Sequence, residues 1–78
     1  MPTVLRAKGY RFSFYSYDLR EPIHVHVTKD GHEAKVWMQP TAVAWNRGFR
    51  DHQIREVMEI LESNRQLIET TWNERSGN

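Results

Sequence analysis

A predicted β-hairpin at residues 24–38 constrains the fold of this chain more than any other feature. The segment from His24 to Lys29 (HVHVTK) alternates between polar and apolar side chains, and Asp30-Gly31 follows it. Asp-Gly is a preferred two-residue hairpin turn, because both positions adopt the positive φ angles that a type I′ turn needs. The segment from His32 to Met38 (HEAKVWM) is therefore the predicted returning strand.

The same turn sets the register of the hairpin, from Lys29 opposite His32 to His24 opposite Trp37. Side chains alternate between the two faces of a strand, so one face is predicted to be apolar and the other polar. The apolar face would hold Val25, Val27, Ala34 and Val36, with Tyr10, Phe12 and Phe14 from the preceding strand. The polar face would be open to water and would hold Arg11, Ser13, Tyr15, His24, His26, Thr28, Glu33, Lys35 and Trp37.

The other strands are predicted from β-forming residues between turn signals. They are Thr3–Ala7 before the turn Lys8-Gly9, then Tyr10–Ser16 before a loop at Tyr17–Pro22, and a short fifth strand at Thr41–Trp45. A turn at Asn46–Phe49 would follow, with Gly48 supplying a positive φ angle.

The last part of the chain predicts one amphipathic helix, at about Asp51–Trp72. Its apolar side chains recur at three- and four-residue intervals: Ile54, Val57, Met58, Leu61, Ile68 and Trp72. The helix stripe and the apolar sheet face most simply bury each other. The prediction is an α+β fold of four or five antiparallel strands and a C-terminal helix (ββββ(β)α). It forms a single domain over residues 1–78, with the sheet at about 3–45 and a frayed tail at 76–78.

Composition excludes several functional classes. The chain has no cysteine, which rules out disulfides, thiol catalysis and thiolate metal sites. Neither a membrane-spanning stretch nor a signal peptide is evident in the sequence, so we expect a cytoplasmic protein without membrane contact. Residues 1–50 carry eight Lys/Arg and four Asp/Glu, whereas residues 51–78 carry three and six. This asymmetry is weaker than that of a dedicated DNA-binding domain. A core built from 78 residues is modest, so a bound partner or a homo-oligomer would add stability.

Three chemistries fit the polar face. His24 and His26 project on the same side and resemble two metal ligands, with Glu33 the nearest third, but two histidines alone do not indicate a metal site. The second is metal-independent cleavage of RNA, in which a histidine moves a proton and Arg11 or Lys35 holds the phosphate. The third is binding alone, either of RNA through aromatic and basic side chains or of a protein partner. An ordinary solvated sheet face also fits this composition. No cofactor is expected.

Four further residues have simpler structural interpretations. Trp45 and Trp72 are predicted to lie in the core rather than in a site. Asn46 and Arg47 follow the last strand, where they would either reach the rim of the polar face or only form the turn.

Several segments carry a resemblance to a known family. They are Gly9–Ser16 (GYRFSFYS), Glu21–Val27 (EPIHVHV), Ala34–Trp37 (AKVW) and Trp45–Phe49 (WNRGF). Over nearly its whole length the chain resembles the small bacterial family filed as domain of unknown function 4160. The resemblance implies a gene beside that of another small protein, in a pair of the kind proposed to be a toxin–antitoxin module, with this chain as the toxin. It implies no mechanism.

These observations lead to one hypothesis and one alternative. The hypothesis is the toxin of a type II toxin–antitoxin pair, acting on RNA or on the translation machinery and bound by a small antitoxin-like protein. His24, His26 and Tyr15 would be catalytic, and the substrate would be bound by Arg11, Lys35, Trp37, Asn46 and Arg47. The alternative is a non-catalytic module that binds a protein or a nucleic acid with the same face.

Overall fold

The computed structural model describes residues 3–15 and 19–76. Its five strands form one antiparallel sheet in chain order, and two helices follow. The strands are β1 (Thr3–Ala7), β2 (Tyr10–Ser13), β3 (His24–Lys29), β4 (His32–Met38) and β5 (Thr41–Arg47). The helices are α1 (Asp51–Ser63) and α2 (Arg65–Ser76). The predicted α+β class and the five-strand order are confirmed. None of the helices in the described part of the chain has the length and apolar character needed to cross a membrane.

The hairpin of β3 and β4 has the predicted register at all six positions, from Lys29–His32 to His24–Trp37. Asp30 and Gly31 have φ angles of 52° and 80°, as a type I′ turn requires. Lys8 and Gly9 form a similar turn between β1 and β2, with φ angles of 52° and 84°. The sheet is therefore organised by two tight turns that are readable from the sequence.

The apolar face of the sheet is buried as predicted. All seven of its predicted side chains are at most 2% exposed: Tyr10, Phe12, Phe14, Val25, Val27, Ala34 and Val36. The helices contribute Val57, Ile60, Leu61, Ile68 and Trp72 to the same core, and Ile54 and Met58 pack against it. The predicted packing of the helix stripe against the sheet is thus confirmed.

The prediction of one continuous helix is wrong, because the chain breaks at Asn64. This residue has φ −121° and ψ 20°, and its backbone N–H donates to the carbonyls of Ile60 and Leu61. Its side-chain amide also donates to the Ile60 carbonyl at 2.8 Å. Asparagine favours such local bonds over helix continuation, which explains the break. The second helix ends at Ser76, so the prediction of a frayed tail is wrong at that residue. Residues 77–78 of the predicted tail lie outside the described residues.

Two strand boundaries also differ from the prediction. Strand β2 ends at Ser13, whereas Ser16 had been predicted; Ser16 and residues 17–18 of the predicted loop lie outside the described residues. Strand β5 extends to Arg47, two residues beyond its predicted end, so Asn46 and Arg47 belong to the sheet. The turn is shorter than predicted, although Gly48 has the expected positive φ angle of 107°.

Candidate functional site

Strand register arranges the polar face into three transverse rows. The first, the arginine row, crosses all five strands, because direct pairing joins Arg6, Arg11, Thr28, Glu33 and Arg47. The second, the histidine row, pairs Ser13, His26, Lys35 and Trp45. The third, the aromatic row, pairs His24, Trp37 and Ala42 at the other end of the face. The three arginines therefore lie at one end of this surface, and His24 and Trp37 lie at the other.

A hydrogen-bonded network joins the first two rows. The Tyr15 hydroxyl donates to Glu33 Oε2 at 2.8 Å, and His26 Nδ1 lies 3.1 Å from the same oxygen. A carboxylate oxygen accepts, so Nδ1 carries the hydrogen of this bond. The Tyr15 and His26 rings are stacked, with centroids 4.0 Å apart and planes 29° apart. Glu33 thus fixes the orientation and the tautomer of His26.

His24 is enclosed by other rings. Its ring centroid lies 5.3 Å from those of His26 and Trp37, and 5.2 Å from that of Trp72. Its Nδ1 lies 2.9 Å from the Pro22 carbonyl oxygen, to which it donates. The side chain is fully buried, so a ligand reaches it only after the surrounding rings move.

The prediction that this face is open to water is wrong at its centre. His24, His26 and Ser13 are only 0%, 4% and 5% exposed. The alternation of residues predicts the side of the sheet but not what lies above it. Here Tyr15 stacks on His26, and Trp37 and Trp72 pack against His24. Large aromatic side chains cover the imidazoles, which the local pattern does not reveal.

The cations lie around this buried centre. Arg6, Arg11 and Arg47 are exposed. Within residues 3–15 and 19–76, none of these three has a carboxylate at salt-bridge distance, and the Arg47 guanidinium lies 4.5 Å from the centroid of the Trp45 ring. Lys35 differs, because its ammonium bonds to Glu21 at 2.7 Å and lies 4.5 Å from the Trp37 ring centroid. The arginine row is therefore the part of the face best able to receive an anion.

Trp45 belongs to this face, which corrects its predicted place in the core. Pairing between β4 and β5 shifts at Lys35/Val36, where Val43 opposes Val36 but Trp45 opposes Lys35. The extra residue, Ala44, reverses the alternation, as a β-bulge does, and turns Trp45 and Arg47 toward the polar side. The Trp45 ring lies 5.8 Å from His26 between centroids.

Asn46 is placed on the other face, opposite Ala34. Its amide donates to the Phe49 carbonyl at 2.9 Å and its Oδ1 accepts from the Phe49 N–H at 3.0 Å. Both ends of the amide therefore shape the turn that leads into α1. Substrate binding by Asn46 stays a prediction, whereas Arg47 lies in the arginine row as its predicted role requires.

Two residues of the site escaped the sequence analysis for different reasons. Arg6 pairs with Arg11 across the first turn, so extending the Lys8-Gly9 register outward by one step would have found it. Trp45 carried no such signal, because a bulge at an alanine has no distinctive local sequence. Among the predicted site residues, His24 contacts His26 and Trp37, and Tyr15 stacks on His26. Lys35 lies over the Trp37 ring, and Arg11 and Arg47 lie in the arginine row.

Metal binding has little geometric support in the described residues. Across 3–15 and 19–76, His, Asp and Glu side chains do not converge in groups of three that would hold a metal ion. The pair formed by His26 and Glu33 supplies two ligands, fewer than a zinc site uses.

Comparison with known proteins identified one family. A family model with the description Domain of unknown function (DUF4160) matches residues 9–73. No curated protein and no solved structure matched the chain. The matched segment contains every residue of the three rows except Arg6.

Proposed function

The chain belongs to the DUF4160 family, and we propose that it is the toxin of a bacterial type II toxin–antitoxin module that acts on RNA through its polar sheet face. The toxin part of the proposal follows from the resemblance, with a small antitoxin-like protein as partner and the cytoplasm as location. The RNA part follows from the chemistry of the face.

The observation that carries the RNA part is the arginine row. Exposed guanidinium groups at Arg6, Arg11 and Arg47 have no carboxylate partner among the described residues. An arginine offers a fixed fork of donors that matches a phosphate, and leaving it unpaired keeps those donors available. An ordinary solvated face would more often intersperse such cations with acidic partners, as α1 and α2 do where Arg65 lies 2.7 Å from Glu62 and 3.5 Å from Glu69.

Aromatic side chains beside the arginines favour RNA over other anions. Trp45 and Trp37 lie on the same face as the arginine row, and both are only partly buried. Single-stranded RNA is recognised on open sheets by stacking of unpaired bases on aromatic rings, with basic side chains on the phosphates. A small anion would need the cations but not the rings.

A direct test compares binding and growth for matched charge variants. The double variant Arg11→Gln/Arg47→Gln removes two cations from the row, and Arg50→Gln/Arg55→Gln removes two exposed cations at and just before α1. For a short single-stranded RNA we expect the first to lose at least about tenfold in affinity and the second to bind like the wild type.

Expression in a bacterial host without a homologous pair tests the toxin part. Wild type and the Arg50/Arg55 control should arrest growth, and the Arg11/Arg47 variant should not. Growth without arrest at good soluble expression of the wild type would reject the toxin assignment. Arrest by the Arg11/Arg47 variant would reject the role of the face.

Cleavage of the bound RNA is a second candidate, favoured by the network of His26, Glu33 and Tyr15. In this reaction the rings above His26 would move aside, and its imidazole would take the proton from a ribose 2′-hydroxyl. The 2′-oxygen would form a bond to phosphorus, the bond to the 5′-oxygen would break, and that leaving oxygen would take a proton from water. Glu33 holds the imidazole in the tautomer that such a base requires. Cleaved RNA would carry 2′,3′-cyclic phosphate ends, and His26→Gln would abolish them while Arg50→Gln/Arg55→Gln would not. Binding without cleavage is the outcome if no such ends form.

A further inference from the structure

A shallow apolar depression lies at the aromatic end of the polar face. It lies between Pro22, the β4–β5 turn and the aromatic row. Its volume is about 270 Å³. The lining residues are Pro22, Trp37, Gln39, Pro40 and Ala42. Apart from Gln39, these side chains are carbon and indole surfaces, so the depression suits a flat, uncharged group.

We infer that this depression receives one unpaired base of a single-stranded RNA whose phosphates lie toward the arginine row. The inference rests on the proposed function and adds to it the class of RNA and the place of a base. Trp37 supplies the ring for stacking, and the proline and alanine side chains supply the walls. Base stacking on such a ring depends little on sequence, because every base has a π-face.

The charges around the depression indicate that the base and the phosphates of the ligand bind at different ends of the face. The Lys35 ammonium near the Trp37 ring is already paired with Glu21 at 2.7 Å, so the rim offers an anion little attraction. The exposed arginines, for which the described part of the chain provides no carboxylate partner, lie at the other end of the face. An occupant that is neutral at one end and anionic at the other therefore complements this surface.

The distance between the two ends indicates an oligonucleotide. Glu33 in the arginine row and Trp37 in the aromatic row are four residues apart on β4, and four residues of a strand span about 13 Å. A stacked strand repeats its phosphates about every 3.4 Å, so this span corresponds to about four nucleotides. A duplex would not serve, because its bases are stacked inside and present no free face to Trp37.

The test uses a six-nucleotide RNA and a ribose–phosphate oligomer of the same length without bases. The wild type should bind the RNA at least about tenfold more tightly than the baseless oligomer, because one stacked base alone contributes about that much. Trp37→Leu should lower the RNA affinity by about tenfold and leave the affinity for the baseless oligomer unchanged. Ala42→Gln fills the depression and should act in the same direction, whereas Val43→Gln, the next residue of the strand, should bind like the wild type.

Thermal melting of each variant separates loss of binding from loss of folding, and Ala42→Gln keeps the test decisive if Trp37→Leu does not fold. Equal affinity of the wild type for both oligomers would overturn the base subsite and leave the RNA-binding proposal standing. Failure of both oligomers to bind would overturn the proposed function together with the subsite. Loss of binding to a protein partner in Ala42→Gln, with RNA binding intact, would assign the depression to that partner and overturn the inference.

Discussion

The two faces of the sheet bury their side chains by different means. On the apolar side, a continuous layer from α1 and α2 covers the strands, and Val25, Val27 and Val36 are completely buried. On the polar side, the imidazoles of His24 and His26 are covered by neighbouring rings and held by hydrogen bonds, while the arginines remain exposed. Burial on the first face needs only volume and apolarity, whereas burial on the second depends on specific partners. Among the described residues, no buried side-chain nitrogen or oxygen lacks a partner.

Truncating the apolar face should have the largest effect on stability. Phe12 is fully buried in the core, and Phe12→Ala should lower the free energy of unfolding by about 3–5 kcal/mol. Urea denaturation measures this loss. Val43→Ala is the control on an exposed position of β5 and should cost less than about 0.5 kcal/mol. Similar losses in the two variants would mean that this face is not the main source of stability.

On the polar face, removal of the Glu33 carboxylate should have the largest effect on stability. Glu33→Leu takes away the oxygen that accepts from Tyr15 and His26, and leaves a buried imidazole donor unsatisfied. The free energy of unfolding should fall by about 1–3 kcal/mol. Glu33→Gln keeps an oxygen acceptor and should lose less in the same denaturation experiment. If the leucine variant is as stable as the glutamine variant, these hydrogen bonds contribute little.

Tyr10 carries a polar group on the apolar face, and its hydroxyl donates to Glu56 at 2.8 Å. Burial is the larger cause and the hydrogen bond to Glu56 the next, and together they raise the pKa of Tyr10 to about 12. In the unfolded chain this hydroxyl has the ordinary tyrosine pKa of 10.0. The contribution of protonated Tyr10 to the free energy of unfolding is therefore complete below pH 10 and is lost between about pH 10 and 12.

Tyr10→Phe should therefore lower the free energy of unfolding by about 1 kcal/mol at pH 8, because one hydrogen bond is lost. The difference between wild type and variant should shrink as the pH rises above 10, which urea denaturation at several pH values can follow. A difference that stays constant up to pH 11 would contradict the assigned shift.

Substitution of an exposed arginine should have the smallest effect on stability and a clear effect on RNA binding. Arg11→Gln should change the free energy of unfolding by no more than about 0.5 kcal/mol, because its side chain is exposed and has no partner among the described residues. The slope of log affinity for RNA against log salt should fall by about 1. An unchanged slope would remove Arg11 from the phosphate contacts, and Arg55→Gln serves as the control.

Structural features that a turn signal or the alternation of side chains marks in the sequence were predictable, and features without such a signal were not. The register of β3 and β4 follows from the adjacent Asp30-Gly31 turn, and the apolar face then follows from alternation alone. The break at Asn64 was missed because asparagine in a helix is only mildly unfavourable, so its local bonds to Ile60 decide the outcome. The move of Trp45 to the polar face was missed because a bulge at Ala44 has no sequence signature.

The sequence by itself determined the order of the strands and which residues of β2, β3 and β4 share a face, because tight turns and alternation act within a few positions of the chain. It also determined that arginines and aromatic residues would share one surface. Only the tertiary structure decided that His24 and His26 lie beneath a cover of rings and that Trp45 joins them. The physical reason is that the hairpin register places Trp37 beside His24, whereas Tyr15 and Trp72 meet the histidines only when separate parts of the chain pack together.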